Sequence, residues 1–171
     1  TAEVRADLHD MARQTWRYFE HMVTAEHHHL PPDNHQRLPH AQTAARTSPT
    51  NIGMYLLAVL CARRCGFIGR NETLARIGAT LATLQTLQRH RGHLMNWYDT
   101  QTLEPLSPQY VSTVDSGNFS GHLLAVAQAA LEQGQPARLG TVLMALSFGG
   151  IAGALAYGKW GVRFRRRNAF V

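Results

Sequence analysis

One long stretch without a helical period constrains the fold of this chain most. Residues 91–118, RGHLMNWYDTQTLEPLSPQYVSTVDSGN, separate two helical patterns and mix apolar side chains with many polar ones. Connections longer than about 12 to 15 residues are usually functional sites or disordered linkers. The apolar side chains of this stretch supply surface for burial, which disordered segments lack. We therefore predict an ordered and functional loop between two helices.

The motif Asn96-Trp97-Tyr98-Asp99 is the most specific part of this loop. It places an amide, two flat amphipathic rings and a carboxylate next to one another in sequence. These are the groups that stack on a sugar ring and form hydrogen bonds with its hydroxyls. The alternative interpretation is an irregular loop whose rings serve only packing.

A second long break follows the first helical pattern. Apolar residues from Leu8 to Met22 recur at intervals of three and four, which predicts an amphipathic helix that ends at about His21. Residues 23–47 then lose this period, and the rigid turn at Pro31-Pro32 interrupts them. The sequence therefore predicts a long loop on either side of the next two helices.

Capping residues indicate where the second and third helices begin and end. Ser48-Pro49 is a favourable start, because Ser caps exposed amides and Pro fits the first helical position. Gly66 suits the left-handed residue that follows a helix end. Asn71 is predicted to cap the third helix, which ends near Gly92. These two helices should form an antiparallel hairpin.

A fourth helix is predicted to begin with Asp115 or Ser116 as its cap and to stop at Gly134. No strand pattern competes convincingly. If four helices alternate in direction, both long loops emerge at one end and the short turn around Phe67 lies at the other. The fold class is therefore all-α, built from antiparallel helical hairpins, with a site at the end where the loops meet.

The carboxyl-terminal part differs from the rest, so we divide the chain into residues 1–135 and 136–171. Residues 139–158 carry no charge over twenty positions, and a basic run follows them. This length suffices to cross a bilayer, with the carboxyl end on the cytoplasmic side. A buried helix in a soluble bundle would have the same composition, and both alternatives remain open. The basic run accounts for much of the net charge of +6.

Two further groups have a simple interpretation. Glu26 and the tract of residues 27–29, three consecutive histidines, resemble a metal-binding segment. Consecutive extended residues point to opposite sides, however, so we interpret them as solvated loop histidines and expect no metal. Cys61 and Cys65 lie four residues apart on one helical face, where we expect reduced core thiols.

The polar residues near the predicted helix starts are candidates for a site. A buried Arg46 would need an acidic partner, which Asp99 or Asp115 would supply. Glycosidic chemistry uses two carboxyl groups roughly 5 to 10 Å apart. Asp99 and Asp115 are the best placed of the loop acids, although both alternatively bind hydroxyls or orient Arg46. Asp115 and Asn118 are equally well interpreted as helix-capping residues or as polar groups at the mouth of a cavity.

Four segments together resemble one known domain: LPPDNHQ at 30–36, ARTSPTNIGMYLLA at 45–58, GHLMNWYDTQTLEPL at 92–106 and YVSTVDSGN at 110–118. In this order and spacing they are similar to the glucoamylase-like domain of bacterial cyclic β-1,2-glucan synthases. The resemblance extends from about Asp10 to Gln133. It implies part of an (α/α) toroid that holds β-1,2-glucan and closes the ring by transglycosylation, without a cofactor.

The resemblance also implies which residues bind the glucan and what else is required. The implied substrate-binding residues are Arg46, Asn51, Asn96, Trp97, Tyr98, Asp99, Asp115 and Asn118. A full toroid needs about twelve helices, whereas this chain supplies four or five, followed by an apolar helix. We therefore expect a fragment that is inactive alone and whose partner is the remainder of a synthase associated with the bacterial inner membrane.

Two other functions remain as alternatives. One is a membrane-anchored helical protein that binds carbohydrate or another partner without turnover. The other is a basic helical nucleic-acid binder, in which the aromatic loop would stack bases. Net charge alone indicates non-specific association rather than a particular partner. We rank nucleic acid lowest and do not expect it as a partner.

Overall fold

The computed structural model of the chain describes residues 1–132. Within this part lie the four predicted helices: α1 Ala2–Met22, α2 Pro49–Arg64, α3 Arg70–Thr86 and α4 Thr113–Glu132. None of the helices in these 132 residues is both long and apolar enough to cross a membrane. The predicted apolar helix at 139–158 lies outside the described residues.

The start and end of α2 follow the sequence signals. The Ser48 hydroxyl accepts a hydrogen bond from the Asn51 amide at 3.2 Å, and Pro49 occupies the first helical position. Gly66 adopts a positive φ of 74° just beyond the end of the helix. The amide of Phe67 donates to the carbonyl of Ala62, which completes the hydrogen-bonded end that a left-handed glycine allows. Both predictions for α2 are confirmed.

The capping predictions for α3 and α4 are wrong by two residues and by three or four residues, respectively. Gly69 precedes α3, so Asn71 lies inside its first turn. α4 begins at Thr113, and the Ser112 hydroxyl accepts from the amide of Asp115 at 3.1 Å. Capping depends on backbone geometry that several neighbouring polar residues satisfy equally well. Because Ser112 accepts from this amide, the Asp115 carboxylate is available for other contacts.

α3 ends at Thr86, earlier than predicted, because a tight hairpin follows it. Strands of two residues each form the hairpin, and Arg91 and Gly92 turn the chain between them with φ of 50° and 86°. Two positive φ angles in succession are the geometry of a two-residue hairpin turn. Gly92 therefore belongs to this turn and not to a helix end.

Six short strands lie in the loops where the sequence predicted none. They are β1 His35–Gln36, β2 Gln42–Thr43, β3 Arg46–Thr47, β4 Arg89–His90, β5 His93–Leu94 and β6 Tyr98–Asp99. They pair antiparallel as β1 with β2, β3 with β6 and β4 with β5. Strands of two residues are too short to show alternating hydrophobicity, so the sequence gives no signal for them.

The two long loops meet at one end of the helices, as predicted. β3 belongs to the first loop and β6 to the second, and Arg46 pairs with Asp99 across them. The amide of Thr100 also donates to the carbonyl of Ala45 at 2.9 Å. Backbone hydrogen bonds therefore fix the loops to each other.

The helices alternate in direction, which makes α2 and α4 parallel. Near the start of both helices, the Thr50 hydroxyl bonds to the Asp115 carboxylate. Further along, a Cβ at Gly53 would lie 2.6 Å from Nδ1 of His122, so the close approach of these helices requires glycine there. α1 runs the other way: Phe19 near its end packs on Tyr55 in α2, with ring centroids 5.5 Å apart.

The core lies between the helices and behind the paired loops. Its fully buried large side chains include Tyr55, Tyr98, Leu30, Ile52, Leu56, Ile77, Leu84 and Leu123. Cys61 and Cys65 are exposed and line an open apolar cleft of about 420 Å³ along α1 and α2. The prediction that they are core thiols is therefore wrong, because their helical face lies beside the core and not within it.

Candidate functional site

The ribbon formed by β3 and β6 has two different faces. Residues directly opposite in an antiparallel pair point to the same side, and successive residues point to opposite sides. Arg46 and Asp99 therefore share the outer face, together with Trp97. Thr47 and Tyr98 share the inner face, and both are fully buried. The ribbon thus holds polar and aromatic groups outward on a backbone anchored to the core.

Tyr98 is a core residue, which corrects the prediction that it lines a substrate site. Its ring is completely buried. Its hydroxyl donates to the carbonyl of Gln88 and accepts from the amide of Met95, both at 2.6 Å. Burial raises the pKa of Tyr98 to about 12. The period of two along the strand separates it from its sequence neighbours Trp97 and Asp99.

Arg46 makes its ion pair with Asp33 and not with Asp99 or Asp115 as predicted. Its Nε and Nη2 donate to Oδ2 of Asp33 at 3.2 and 3.0 Å. The guanidinium also lies over the indole of Trp97, 4.9 Å from the ring centroid. The Arg46 side chain is 51% exposed, so it is not the buried cation that the sequence suggested.

Asp33 is the loop acid whose role the sequence did not reveal. Its second carboxylate oxygen accepts from the side-chain amide of Asn51 at 3.3 Å, so it joins the first loop to the start of α2. In the sequence, Asp33 follows Pro31-Pro32 in the predicted turn and is one of the loop acids, but Asp99 and Asp115 were ranked above it. The signal available in the sequence was the position of Asp33 inside LPPDNHQ, one of the four segments that carry the family resemblance.

Asn96 connects the second loop to α4. Its side chain is nearly buried, with 4% exposure. With the amide oriented to match its neighbours, Oδ1 accepts from Trp97 Nε1 and the Tyr110 hydroxyl, both at 2.7 Å. The amide nitrogen donates to Oδ2 of Asp115 at 3.0 Å. Asn96 therefore fixes the edge of the Trp97 ring and one oxygen of Asp115.

Asp115 links the first turns of α4 and α2. Its Oδ1 accepts from the Thr50 hydroxyl at 2.6 Å, and the Asn118 amide donates to the same hydroxyl oxygen at 3.3 Å. Thr50 was not among the predicted site residues. Both helices begin at this end, and the partial positive charge of helix starts favours a carboxylate there.

Asp99 has a different role from Asp115. Its Oδ1 accepts from the backbone amides of Gln101 and Thr102 at 2.7 and 2.9 Å. This is the way in which Asp stabilises a turn after a strand. Asp99 thus lies on the outer face of the ribbon, while one of its oxygens holds the following turn.

These contacts form a continuous chain, which we call the rim network. Its members are Asp33, Arg46, Thr50, Asn51, Asn96, Trp97, Tyr110, Asp115 and Asn118. Six of the eight predicted substrate-binding residues belong to it. Asp99 lies beside it and Tyr98 beneath it. The network has one cation and two carboxylates, so its charge is opposite in sign to the +6 of the whole chain.

The histidine tract contributes to the structure of the loops. Nδ1 of His27 lies 2.7 Å from the Thr100 hydroxyl, and Nδ1 of His28 lies 3.0 Å from the Thr100 carbonyl. Both rings are half-buried, so the interpretation as solvated loop histidines is wrong. Over the described part of the chain, no group of three or more His, Cys, Asp or Glu side chains is arranged to hold a metal ion.

Comparison with known proteins agrees with this geometry. A family model described as a protein of unknown function (DUF3131) matches residues 10–132. The chain is 54% identical over 130 residues to the cyclic β-(1,2)-glucan synthase NdvB of Rhizobium meliloti (strain 1021). The match covers 76% of this chain and 5% of NdvB.

Two solved structures show the fold. One is a protein from Bacteroides fragilis NCTC 9343 assigned as a glucoamylase, with a TM-score of 0.67, 21% identity, and coverage of 85% of this chain and 35% of that one. The other is a β-1,2-glucanase from Parabacteroides distasonis, with a TM-score of 0.67, 16% identity, and coverage of 93% and 22%. The described helices thus match part of the glucoamylase-like (α/α) toroid of these proteins. The chain belongs to the DUF3131 family, and its resemblance to the glucoamylase-like domain of cyclic β-1,2-glucan synthases is confirmed.

Proposed function

We propose that this chain forms part of a β-1,2-glucan binding and transglycosylation site within a cyclic β-1,2-glucan synthase, and that it performs no turnover alone. The rim network is the observation that carries this proposal. It joins two loops and two helix starts through direct contacts, and it presents an aromatic ring, a guanidinium and an amide at the surface.

The exposed groups of the network suit an uncharged sugar chain. Trp97 is half-buried and offers a flat ring for stacking on a pyranose. Arg46 uses two of its five N–H donors on Asp33, and Asn118 is exposed. The name of NdvB and that of the P. distasonis glucanase both specify β-1,2-linked glucan. These names support β-1,2-glucan as the substrate class.

The carboxylates of the described part support binding rather than complete catalysis. Asp115 accepts from Thr50 and Asn96, and one oxygen of Asp99 holds a turn. Glycosidic chemistry needs one carboxylic acid that gives a proton and a second carboxylate on the other side of the bond. With these contacts, Asp99 and Asp115 are better suited to orienting the loop and binding hydroxyls.

The missing catalytic groups belong to the remainder of the synthase under this proposal. The chain spans 5% of the length of NdvB and about a third or less of the two solved structures. A toroid closes its cavity with all of its helices, so acids from other helices would complete the site. Association with the bacterial inner membrane is part of the same proposal and rests on the resemblance alone.

The rival nucleic-acid function fits the network poorly. Phosphate backbones are bound by clusters of Lys and Arg. The rim network pairs its one guanidinium with Asp33 and adds the carboxylate of Asp115, with Asp99 alongside. The basic run at 159–167 lies outside the described residues and leaves this argument unchanged.

Titration with linear β-1,2-gluco-oligosaccharides tests the proposal. The full chain carrying Trp160→Phe retains Trp97 at the rim and Trp16 in the core, where it is 2% exposed. We expect a saturable change in tryptophan emission that β-1,4-linked oligosaccharides of equal length do not cause. We expect no cyclic product by mass spectrometry. Absence of binding by emission and calorimetry would contradict the binding site, and cyclic product would contradict inactivity.

A further inference from the structure

Asp33 holds an unusually central position in the rim network. It follows two buried prolines, and its amide donates to the carbonyl of Ala44 at 3.2 Å, so its backbone is fixed. Its side chain is 21% exposed, and each carboxylate oxygen has a different partner. Oδ2 accepts hydrogen bonds from Arg46, and Oδ1 accepts one from Asn51. It is therefore a fixed acceptor between the side-chain donors of Arg46 and Asn51.

Arg46 needs such an acceptor to keep one conformation. A long side chain that is half exposed samples many rotamers, and holding it in one rotamer costs conformational entropy. The carboxylate fixes the guanidinium through Nε and Nη2. The indole of Trp97 supports its flat face at 4.9 Å. Each contact is weak alone at an exposed site, but together they define the plane and the position of the guanidinium.

We propose that Asp33 is a positioning residue of the glucan site and acts through Arg46. Asp33 holds the guanidinium on one face of Trp97, which closes that face to a sugar ring. It also directs the remaining N–H donors of Arg46 to the sugar hydroxyls. Because the donor is ordered before glucan arrives, binding does not have to restrict it. This inference rests on the proposed function.

The pairing also defines the kind of ligand. Asp33 compensates the charge of Arg46, so the exposed donors belong to a neutral ion pair. A neutral pair offers hydrogen bonds to hydroxyls without favouring an anionic ligand. The site therefore takes uncharged oligosaccharides, and removal of the Asp33 charge leaves a lone guanidinium beside Trp97.

A double-mutant cycle tests whether Asp33 acts through Arg46. The dissociation constant of a linear β-1,2-gluco-oligosaccharide is measured by calorimetry for the full chain, Asp33→Asn, Arg46→Ala and the double variant. We expect Asp33→Asn to weaken binding about five-fold in the native background and less than about two-fold in the Arg46→Ala background. Equal losses in both backgrounds would overturn the inference, because Asp33 would then act independently of Arg46.

Glu72→Gln is the matched control. It removes a carboxylate from a second ion pair, in which Arg76 Nε lies 2.8 Å from Glu72 Oε1. That pair is in the first turns of α3, at the opposite end from the loops. We expect an unchanged dissociation constant for Glu72→Gln. An equal loss of affinity for Glu72→Gln and Asp33→Asn would mean that net charge matters and position does not, which contradicts the inference.

A measurement without glucan separates this inference from the proposed function. The Arg46 Nε–H resonance should exchange slowly with water in the native chain and at least about ten-fold faster in Asp33→Asn, because its charged acceptor is lost. An unchanged exchange rate would overturn the role of Asp33 whatever the glucan does. If the native chain binds no glucan while the exchange rates differ as expected, the proposed function fails and Asp33 remains the residue that positions Arg46.

Discussion

Two tryptophans in this chain each have an arginine guanidinium over the ring, and each of these arginines forms an ion pair with a carboxylate. The two arrangements differ in where they lie and in how exposed they are. At the rim, Arg46 lies over Trp97 and pairs with Asp33. In the core, Arg76 lies 5.2 Å from the centroid of Trp16 and pairs with Glu72. The components are the same in the two stacks, so differences in burial must account for any difference in role.

Burial is reversed between the two stacks. The Arg46 side chain is 51% exposed and its Asp33 partner 21%, whereas Arg76 is 19% exposed and its Glu72 partner 43%. The core stack thus encloses its guanidinium, and the rim stack presents it to solvent. The same chemistry encloses a cation in one place and leaves hydrogen-bond donors exposed in the other, where we propose that they meet the ligand.

The largest expected effect is a loss of stability at alkaline pH, caused by ionisation of Tyr98, which is buried beneath the stack of Arg46 on Trp97. Burial raises the pKa of Tyr98 to about 12, above the unfolded value of 10.0. The Tyr98 hydroxyl therefore stays protonated to higher pH in the folded chain than in the unfolded chain. This difference stabilises the fold fully below pH 10, and the stabilisation is lost as pH rises towards 12. We expect a loss of roughly 2 to 3 kcal/mol over this range. Urea unfolding at stepped pH measures it.

Tyr98→Phe provides the control for this prediction. The variant lacks the ionisable hydroxyl, so its stability should be lower at neutral pH and should fall less steeply above pH 10. Burial also raises the pKa of Tyr55 and of Tyr18, so part of the alkaline loss remains in the variant. Identical slopes for the variant and the native chain would contradict the assignment to Tyr98.

Arg76→Ala should destabilise the fold and leave binding unchanged. The substitution removes the cover of Trp16 and leaves the Glu72 carboxylate without its partner. We expect a loss of about 2 kcal/mol in the free energy of unfolding, since a mostly buried charged donor and its packing are both lost. Chemical unfolding measures the loss, and calorimetry with glucan should give the native dissociation constant. A stability within error of the native value would remove the distinction between the stacks.

Trp97→Ala should show the opposite result to Arg76→Ala, with its main effect on glucan binding and not on the stability of the fold. Loss of the ring removes the stacking surface, and we expect glucan binding to weaken about thirty-fold, or roughly 2 kcal/mol. Calorimetry is the suitable measurement, because the variant lacks the rim fluorophore. Trp97→Phe keeps an aromatic face and should recover most of the affinity. An equally large loss in Trp97→Phe would argue against stacking as the cause.

The smallest effect on stability is expected for Arg46→Ala. Because the side chain is half exposed, the free energy of unfolding should change by less than about 0.5 kcal/mol. Glucan affinity should nevertheless fall about ten-fold, since exposed donors act on the ligand and not on the fold. Thermal unfolding and calorimetry on the same sample separate the two effects. A large drop in melting temperature with unchanged affinity would reverse the comparison.

The helices could be predicted from the sequence because their signals are local. The apolar period gave four helices, and Ser48-Pro49 and Gly66 gave the ends of α2. Alternating directions then predicted that the two loops share one end, which β3 and β6 confirm. The caps of α3 and α4 were misplaced because neighbouring polar residues compete for one geometric position.

The contacts of the site were harder to predict because they are not local. Asp33 lies 13 residues before Arg46 and 18 before Asn51, in a loop without a period. The burial of Tyr98 depends on a two-residue strand whose pairing is visible only in three dimensions. Residue types and the family resemblance identified most of the rim network, but not which carboxylate holds which donor.

The indole Nε1–H resonances of the full chain give the most direct test of the rim as the glucan site. On addition of a linear β-1,2-gluco-oligosaccharide, we predict a saturable shift of the Trp97 resonance and none for Trp16, although both rings carry an arginine. A shift of Trp16 with Trp97 unmoved, or no shift of either resonance at saturating oligosaccharide, would contradict the account.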